Sequence, residues 1–420
     1  MAGDPAFSPT ASDTALPIDE PYLLVTQIPT YVDASGRLWH DRLWHTDLAR
    51  HLAYLRHLVL AAPVSPKPDS GADSGDLVRL EPPAGSSLSL ARLPRMSSRT
   101  QAALHLPAAI AAIWRAAGSA AIVHASMGGW PYPLAFVAIP LARLRRRRSL
   151  VVVESAPWRL AGDSGNPLRR LHTRLTEAAV RFMVSLADLA IFTNAGYRAS
   201  LMPVGSPRGH VIPASWIGED DVLPLEKAEA AWRDKIARNP SATRFLFAGR
   251  LTSEKGIEVL LDAARRLDDN GVQLQLEVIG EGPLLERCRL ASARSRSAQL
   301  RVHPVIPYGD EFFALVRGCD ALVVPSLTDE QPRIVFDAFS QAVPVIASDT
   351  PGLRDLVAEG VTGWRFPPGD EAALATLLQR AIADREALRA MGLRAREQAR
   401  RMTHAHMHAE RSRLIRAMLG

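Results

Sequence analysis

Short, continuously apolar runs alternate with helix-length amphipathic segments along nearly the whole chain, and this alternation restricts the fold more than any other feature. The runs are PYLLVTQIP, AIVHAS (Ala121–Ser126), SLVVVES (Ser149–Ser155), LADLAIFTN and GHVIPAS, then RFLFAGR, LQLEVIG, ALVVPS and PVIAS. A strand that is apolar on both sides offers no face to water and belongs between two helical layers. Strands that alternate with helices predict parallel, doubly wound sheets. Helices are expected around Thr46 to Leu55 and Tyr197 to Met202. Ile257, Leu260, Leu261, Ala264 and Leu267 recur at spacings of three and four, the signature of one buried helix face. Ligands of such sheets bind beyond the carboxyl ends of the strands. The residues just after each apolar run are therefore the candidates for chemistry.

A chain of 420 residues is long for one core, so two domains are expected. The organisation predicted is a disordered tail at 1–20, acidic and rich in Pro, Ser and Thr, and an N-terminal Rossmann-like domain at 21–220. A polar, charged linker at 221–242 and a C-terminal Rossmann-like domain at 243–400 follow. A last helix at 401–420 is placed to pack back on the N-terminal domain. Pro, Ser, Asp and Gly crowd residues 63–76, which predicts a long surface loop.

The net charge of +6 and a pI near 9.7 suit anionic partners. The densest basic run, RLRRRR (Arg143–Arg148), follows the apolar stretch WPYPLAFVAIPLA. It reads either as peripheral contact with an anionic membrane or, more plainly, as a solvated helix end before a buried strand. Two cysteines, Cys288 and Cys319, make no disulfide framework and point to a reducing compartment. The first residues lack the basic start and apolar run of a signal peptide. No stretch reaches about 18 uninterrupted apolar residues. The expected location is the cytoplasm, peripheral to the inner face of the cell membrane.

Four strand-end motifs in the second half point to one anion site. AGRLTSEKG carries Gly249, Arg250 and Lys255; two cations five residues apart on a turn can straddle a pyrophosphate, though a surface Arg and a helix-start Lys would read alike. GEGP supplies Gly280 and Gly282, which let backbone approach a flat ring or a phosphate. HPVIPYGD (His303–Asp310), with Ile306, can edge a base. The fourth motif is PSLTDEQPRIVFD, in which Asp329 and Asp337 stand eight residues apart. Pro332 suits a first helical position, so the amides of Arg333, Ile334 and Val335 are expected as open donors for a phosphate. Asp337, further into the helix, can accept from a sugar diol. Arg333 and Asp337 are also spaced to pair on the helix face.

Taken in order, FAGRLTSEKGIEVLLDAARRL, VIGEGPL and the segment from Pro325 to Asp370 resemble the retaining glycosyltransferases of family 4. That family has the GT-B fold, two facing Rossmann-like domains with a cleft between them. The resemblance spans residues 243–383 and implies that Arg250 and Lys255 bind the diphosphate of a UDP- or GDP-sugar. The family's paired glutamates fall on Asp329, which contacts the donor sugar, and Asp337, which holds the ribose hydroxyls. Both are aspartates here, one methylene shorter, and Glu330 offers an equal charge beside Asp329.

The N-terminal domain should supply the acceptor side. Where the family carries a His after a central strand, this chain reads VVVESAPWR, which puts Glu154 and Ser155 there. Glu154 could orient a sugar hydroxyl or take the acceptor proton; a buried acid paired with Arg159 is the alternative. His124 and Ser126 lie at another strand end, and His124 equally suits a packed core. Gly36 matches the family's loop after the first strand, which brings amides towards the pyrophosphate. Trp39, Trp44, Trp130 and Trp158 are sugar-stacking candidates, although Trp more often fills a core.

No apolar strand ends in Asp-x-Asp, so no metal and no cofactor is expected, and His404, His406 and His408 do not share one helix face. The predicted activity is transfer of a hexosyl group from a nucleotide sugar to a glycan or lipid-linked saccharide, in exopolysaccharide or cell-surface glycan synthesis. A sugar-nucleotide epimerase of the same fold and a non-catalytic nucleotide-sugar or glycan-binding protein are the alternatives. Nucleic acid is not expected as a partner, because the arginines scatter along helices.

Overall fold

The computed structural model describes residues 17–68, 77–129, 131–160, 167–238, 243–328 and 331–420. The chain divides into two compact units, Met1–Val152 with Ser185–Leu189 and Ser412–Gly420, and Val153–Val184 with Ala190–Arg411.

The first unit contains β1 (Tyr22–Val25), β2 (Thr30–Val32), β3 (Leu38–Asp41), α1 (Arg42–Tyr54), β4 (His57–Pro66), β5 (Leu77–Arg79) and β6 (Ser87–Leu93). It continues with α2 (Arg99–Ser119), β7 (Ile122–Ser126), α3 (Ala135–Leu144) and β8 (Arg148–Val153). Its strands run in the order β8-β7-β1-β4-β2-β3-β5, with β6 also on β4. The pairs from β8 through β4, and β4 with β6, are parallel, as the apolar runs predict.

An antiparallel edge, β2 with β3 and β3 with β5, surrounds the Gly36 turn. Asp33 organises its turn. One carboxylate oxygen accepts the amides of Ser35 and Arg37 at 2.9 and 3.0 Å. The other accepts Arg37 Nε at 2.7 Å and Trp39 Nε1 at 3.0 Å. Gly36 closes the turn at φ +77°, a backbone state that favours glycine. The loop expected at 63–76 is displaced, since β4 runs on to Pro66 and residues 69–76 lie outside the described ones. Of the expected tail, residues 1–16 lie outside the described residues, while Ile18 is already buried and bridges Leu55.

The remaining elements lie wholly or mainly in the second unit, except the last helix, which is divided equally between the two. They begin with α4 (Pro157–Leu160), α5 (Pro167–Leu186), β9 (Leu189–Phe192), α6 (Ala195–Leu201), β10 (Gly209–Val211) and α7 (Leu225–Ala237). The main sheet is built from β11 (Arg244–Ala248), α8 (Ile257–Asp269), β12 (Leu274–Ile279), α9 (Leu285–Arg294), β13 (Ala298–His303), α10 (Asp310–Gly318) and β14 (Ala321–Val324). It is completed by α11 (Ile334–Ser340), β15 (Val345–Ser348), α12 (Pro351–Arg354), β16 (Gly363–Phe366), α13 (Glu371–Ala383), α14 (Arg385–Arg400) and α15 (His404–Leu419).

The six strands β13-β12-β11-β14-β15-β16 are all parallel, so their carboxyl ends share one edge. Along β11, Phe245 and Phe247 enter one core with Trp232, Leu260 and Trp364, while Leu246 enters another with Phe336 and Phe339. Two covered faces explain why this strand reads as unbroken apolar sequence. All five apolar positions picked out on α8 are buried. Residues 221–242, read from composition as a linker, contain α7. Its Trp232 is fully buried and donates through Nε1 to the Ala342 carbonyl at 2.8 Å.

Candidate functional site

Three strand-end loops of the second sheet are fastened to one another through main-chain atoms. After β11, the amides of Gly249 and Leu251 donate to the carbonyls of Ile279 and Glu281 at 3.0 and 2.8 Å, and Leu284 donates to Leu251 at 3.1 Å. A side chain at Gly280 would place its Cβ 1.9 Å from the Gly249 oxygen, and one at Gly282 would sit 2.5 Å from the Leu251 oxygen. The glycines of GEGP thus admit a neighbouring loop, where the sequence suggested a ring or a phosphate. Gly256, at φ +70°, abuts the Pro325 carbonyl, and Leu327 donates to Glu254 at 2.9 Å, which ties in the loop after β14. Gly280→Ala should destabilise the chain by about 1–3 kcal/mol, since the added methyl needs a backbone shift; urea unfolding measures it.

This frame carries Arg250 on the loop and Lys255 on the 3-10 turn Ser253–Lys255 that leads into α8. The Arg250 side chain is 68% exposed, its guanidinium 3.8 Å from Glu254. Exposed pairs of this kind are worth about 0–1 kcal/mol, so a diphosphate can compete for the arginine.

Asp337 lies on α11 and is buried. The Tyr308 hydroxyl donates to its Oδ1 at 3.0 Å, from a ring packed 5.8 and 5.1 Å from those of Phe312 and Phe313. Burial pushes the Asp337 carboxyl up to about 7, against the Tyr308 hydrogen bond and the Arg333 charge, with the Asp221 charge adding to the rise. Tyr308 was not singled out in the sequence. A tyrosine in a strand-end loop before two phenylalanines, with a hydroxyl needing a partner, is the signal that could have found it. Ile306 is half-buried and packs on the core below.

Two expectations about α11 change. The helix begins at Ile334, and the Val335 amide donates to the Pro332 carbonyl at 3.2 Å, so it is not an open donor. Arg333 does not pair with Asp337; its guanidinium lies 5.0 Å over the Trp216 ring. Asp329 and Glu330 lie outside the described residues. Gln331, not anticipated, donates to the Thr193 carbonyl at 2.7 Å and accepts the Ala214 amide at 2.8 Å.

Of the residues assigned to the acceptor side, Glu154 follows β8 and is exposed, so it is not a buried acid. Its carbonyl accepts Thr193 Oγ1 at 3.4 Å, and Thr193 is the residue whose carbonyl holds Gln331. Two hydrogen bonds therefore link Glu154 to the loop before α11. Trp158 is buried and unavailable for stacking on a sugar: Nε1 donates to Glu177 at 2.6 Å. Arg159 forks onto the same carboxylate at 3.2 and 2.6 Å. Burial alone would raise Glu177, but these hydrogen bonds hold it below its ordinary value.

His124 is a core histidine, its Nδ1 2.8 Å from the Tyr22 hydroxyl inside the first sheet. Ser126 caps its own turn by accepting the Gly128 amide at 3.0 Å. Trp44 is buried, Trp39 lies under Lys67 Nζ at 4.3 Å, and Trp130 is outside the described residues. His404 and His408 share a buried face with Nε2 atoms 3.2 Å apart, and His406 is exposed.

Residues 228–398 match the family model described as Glycosyl transferases group 1. A putative colanic acid biosynthesis glycosyltransferase, WcaL of Salmonella typhimurium, is 29% identical over 155 residues, 35% of this chain and 38% of that protein. A D-inositol 3-phosphate glycosyltransferase of Nocardia farcinica is 27% identical over 288 residues, 66% of this chain and 59% of that protein. The chain thus spans less than two thirds of the length of either relative. The structure of Anabaena HepE in complex with UDP-glucose superposes with a TM-score of 0.62 at 15% identity, covering 95% of this chain and 99% of that one. Two parallel-sheet α/β units of this kind form the GT-B fold.

Proposed function

We propose that the chain is a retaining glycosyltransferase of family 4 that moves a hexosyl group from a nucleoside diphosphate sugar to an acceptor hydroxyl. One observation carries the reading. Two cations stand on the loop and turn between β11 and α8, and a buried carboxylate stands on α11, the helix after the neighbouring strand β14, which suits a diphosphate joined to a diol. In this reading Arg250 and Lys255 grip the diphosphate, and Asp337 exchanges its Tyr308 hydrogen bond for the ribose hydroxyls. The bond from the sugar's anomeric carbon to the diphosphate oxygen breaks as the cations take up its charge. The acceptor oxygen bonds to that carbon from the same face, and its proton leaves to the departing phosphate or to Glu154. The chain's own cations fill the electrostatic role, so no metal is assigned to the step.

A solved complex of HepE with UDP-glucose supports a uridine nucleotide as the first donor to try, with GDP-sugars next. The colanic acid biosynthesis relative supports an acceptor of the exopolysaccharide class; a lipid-linked saccharide met at the cytoplasmic face of the membrane is part of the same proposal.

The test is a thermal-shift screen of nucleotide sugars in EDTA, on the intact chain and on Asp337→Asn, followed by product analysis with and without acceptors. A donor that raises the melting temperature by several degrees, less so in the variant, is expected, with transfer only when an acceptor is present. Turnover without acceptor would make it an epimerase. Binding without turnover would make it a binding protein.

A further inference from the structure

We propose that the outer face of α2 and α3 docks on an anionic bilayer, with one lipid chain in the groove between the two helices. α3 reads AFVAIPLARL and has no polar side chain before Arg143. Ala135, Ala138, Ile139 and Ala142 form its buried side. Phe136, Val137, Pro140 and Leu141 lie on the other side and are only half-buried, and Leu144 is 71% exposed. A helix that is apolar all round needs an apolar surround on every side, and the fold supplies one side. Those four half-buried residues, with Leu106 and Ile110 of α2 and the Tyr132 ring, line a cavity of about 520 Å³. Tyr132 has the one polar side chain in that lining, and its hydroxyl donates to Met96 Sδ at 3.6 Å. A sugar would find few hydrogen-bond partners in such a groove, whereas a hydrocarbon chain needs none.

Charge chooses the occupant. From Pro82 to Val153 the chain carries nine arginines and no aspartate or glutamate. Arg115, Arg143, Arg145 and Arg146 stand where α2 and α3 end, and Arg145 stacks 3.9 Å over Trp114, which brings the two ends together. Arg115, Arg143 and Arg146 are exposed, and none of the four forms an ion pair among the described residues. Free cations beside an apolar groove fit anionic headgroups above their own chains. A second copy docked through this face would set arginine against arginine. No described helix is long and apolar enough to cross a membrane, so the contact is one of lying on the surface.

The basic run at 143–148 is thus divided. Arg147 donates to the Gly118 carbonyl and Arg148 lies 3.9 Å from Asp188, so these two serve the fold while the earlier arginines border the groove. This inference is independent of the transfer reaction, because vesicle binding needs no donor and the donor screen needs no vesicles.

The intact chain is sedimented with vesicles of phosphatidylcholine alone and with vesicles in which about a third of it is replaced by phosphatidylglycerol. Binding to the anionic vesicles is expected, about tenfold or more above the neutral ones, with release at high salt. Ile110→Asp sets a charge in the groove and should weaken binding about tenfold or more; with Leu144→Asp added, binding should be lost. Glutamine at positions 115, 143 and 146 should weaken it about a hundredfold. These three arginines are exposed, so that variant should keep the wild-type melting temperature and decides the matter if the aspartates unfold the chain. No binding by the wild type, equal binding to both vesicles, or full binding by a folded Ile110→Asp or by the glutamine variant overturns the proposal. So does a concentration-dependent dimer that the aspartates dissolve, which would assign the face to a second copy.

Discussion

Replacing Arg250 and Lys255 together with alanine should lower kcat by at least about a thousandfold, while the unliganded chain keeps its melting temperature. Removing one well-placed donor to a developing anion costs roughly 10²–10³ in rate, and two that act on one leaving group are not additive. Stability should hold because the loop is secured by the main-chain bonds of Gly249, Leu251 and Leu284. The Arg250–Glu254 pair is an exposed one at 3.8 Å. Initial rates with the donor found in the screen give the test, and rates within threefold of the wild type would falsify the assignment. Arg250→Lys separates shape from charge. It keeps the cation but loses the fork, so an intermediate loss is expected.

Asp337→Asn should make the protein more stable than the wild type at pH 8, by about 2–4 kcal/mol, and this advantage should vanish in acid. The folded carboxyl titrates near 7 because it is buried, whereas an unfolded aspartate titrates near 3.9. Between those values the folded chain holds a proton that the unfolded chain has lost. Wild-type stability therefore falls as pH rises from about 4 to about 7, and the penalty is complete above 7. Asparagine carries no such charge and can still accept the Tyr308 hydroxyl. Melting curves of both proteins from pH 4 to 8 should diverge across that window and then run parallel. A sugar diol donates to the charged carboxylate, so donor affinity in the wild type should rise through the same pH range. A constant gap in stability at every pH would remove the argument.

Elements buried on both faces were legible in the sequence because their pattern is local. The runs that became β7, β8, β11, β12, β14 and β15, and the periodic face of α8, are of this kind. The antiparallel edge was hidden by shortness: β2, β3 and β5 are three or four residues each, and Leu38–Asp41 mixes apolar and polar side chains. Prolines at 63 and 66 disguised the end of β4, since proline argues against a strand interior. The polar surface of α7 concealed the single large anchor, Trp232, that seats it.

The placement of Arg250 and Lys255 after β11, and of Asp337 on the helix after β14, was legible from residue type and spacing. Contacts between distant positions were not. Tyr308 meets Asp337 across 29 residues, and Gln331 reaches Thr193 across 138. His124 and Trp158 show the converse failure: position at a strand end was right, and the side chain turned inward to satisfy a buried partner.

Because the loops at this sheet edge are joined by peptide groups, which every amino acid possesses, the scaffold is indifferent to most side chains displayed on it. The glycines that make room and the buried Leu251 are constrained. In the proposed function Arg250 and Lys255 are held by the diphosphate, so donor preference would change through other side chains displayed on this edge while the architecture underneath stays as it is.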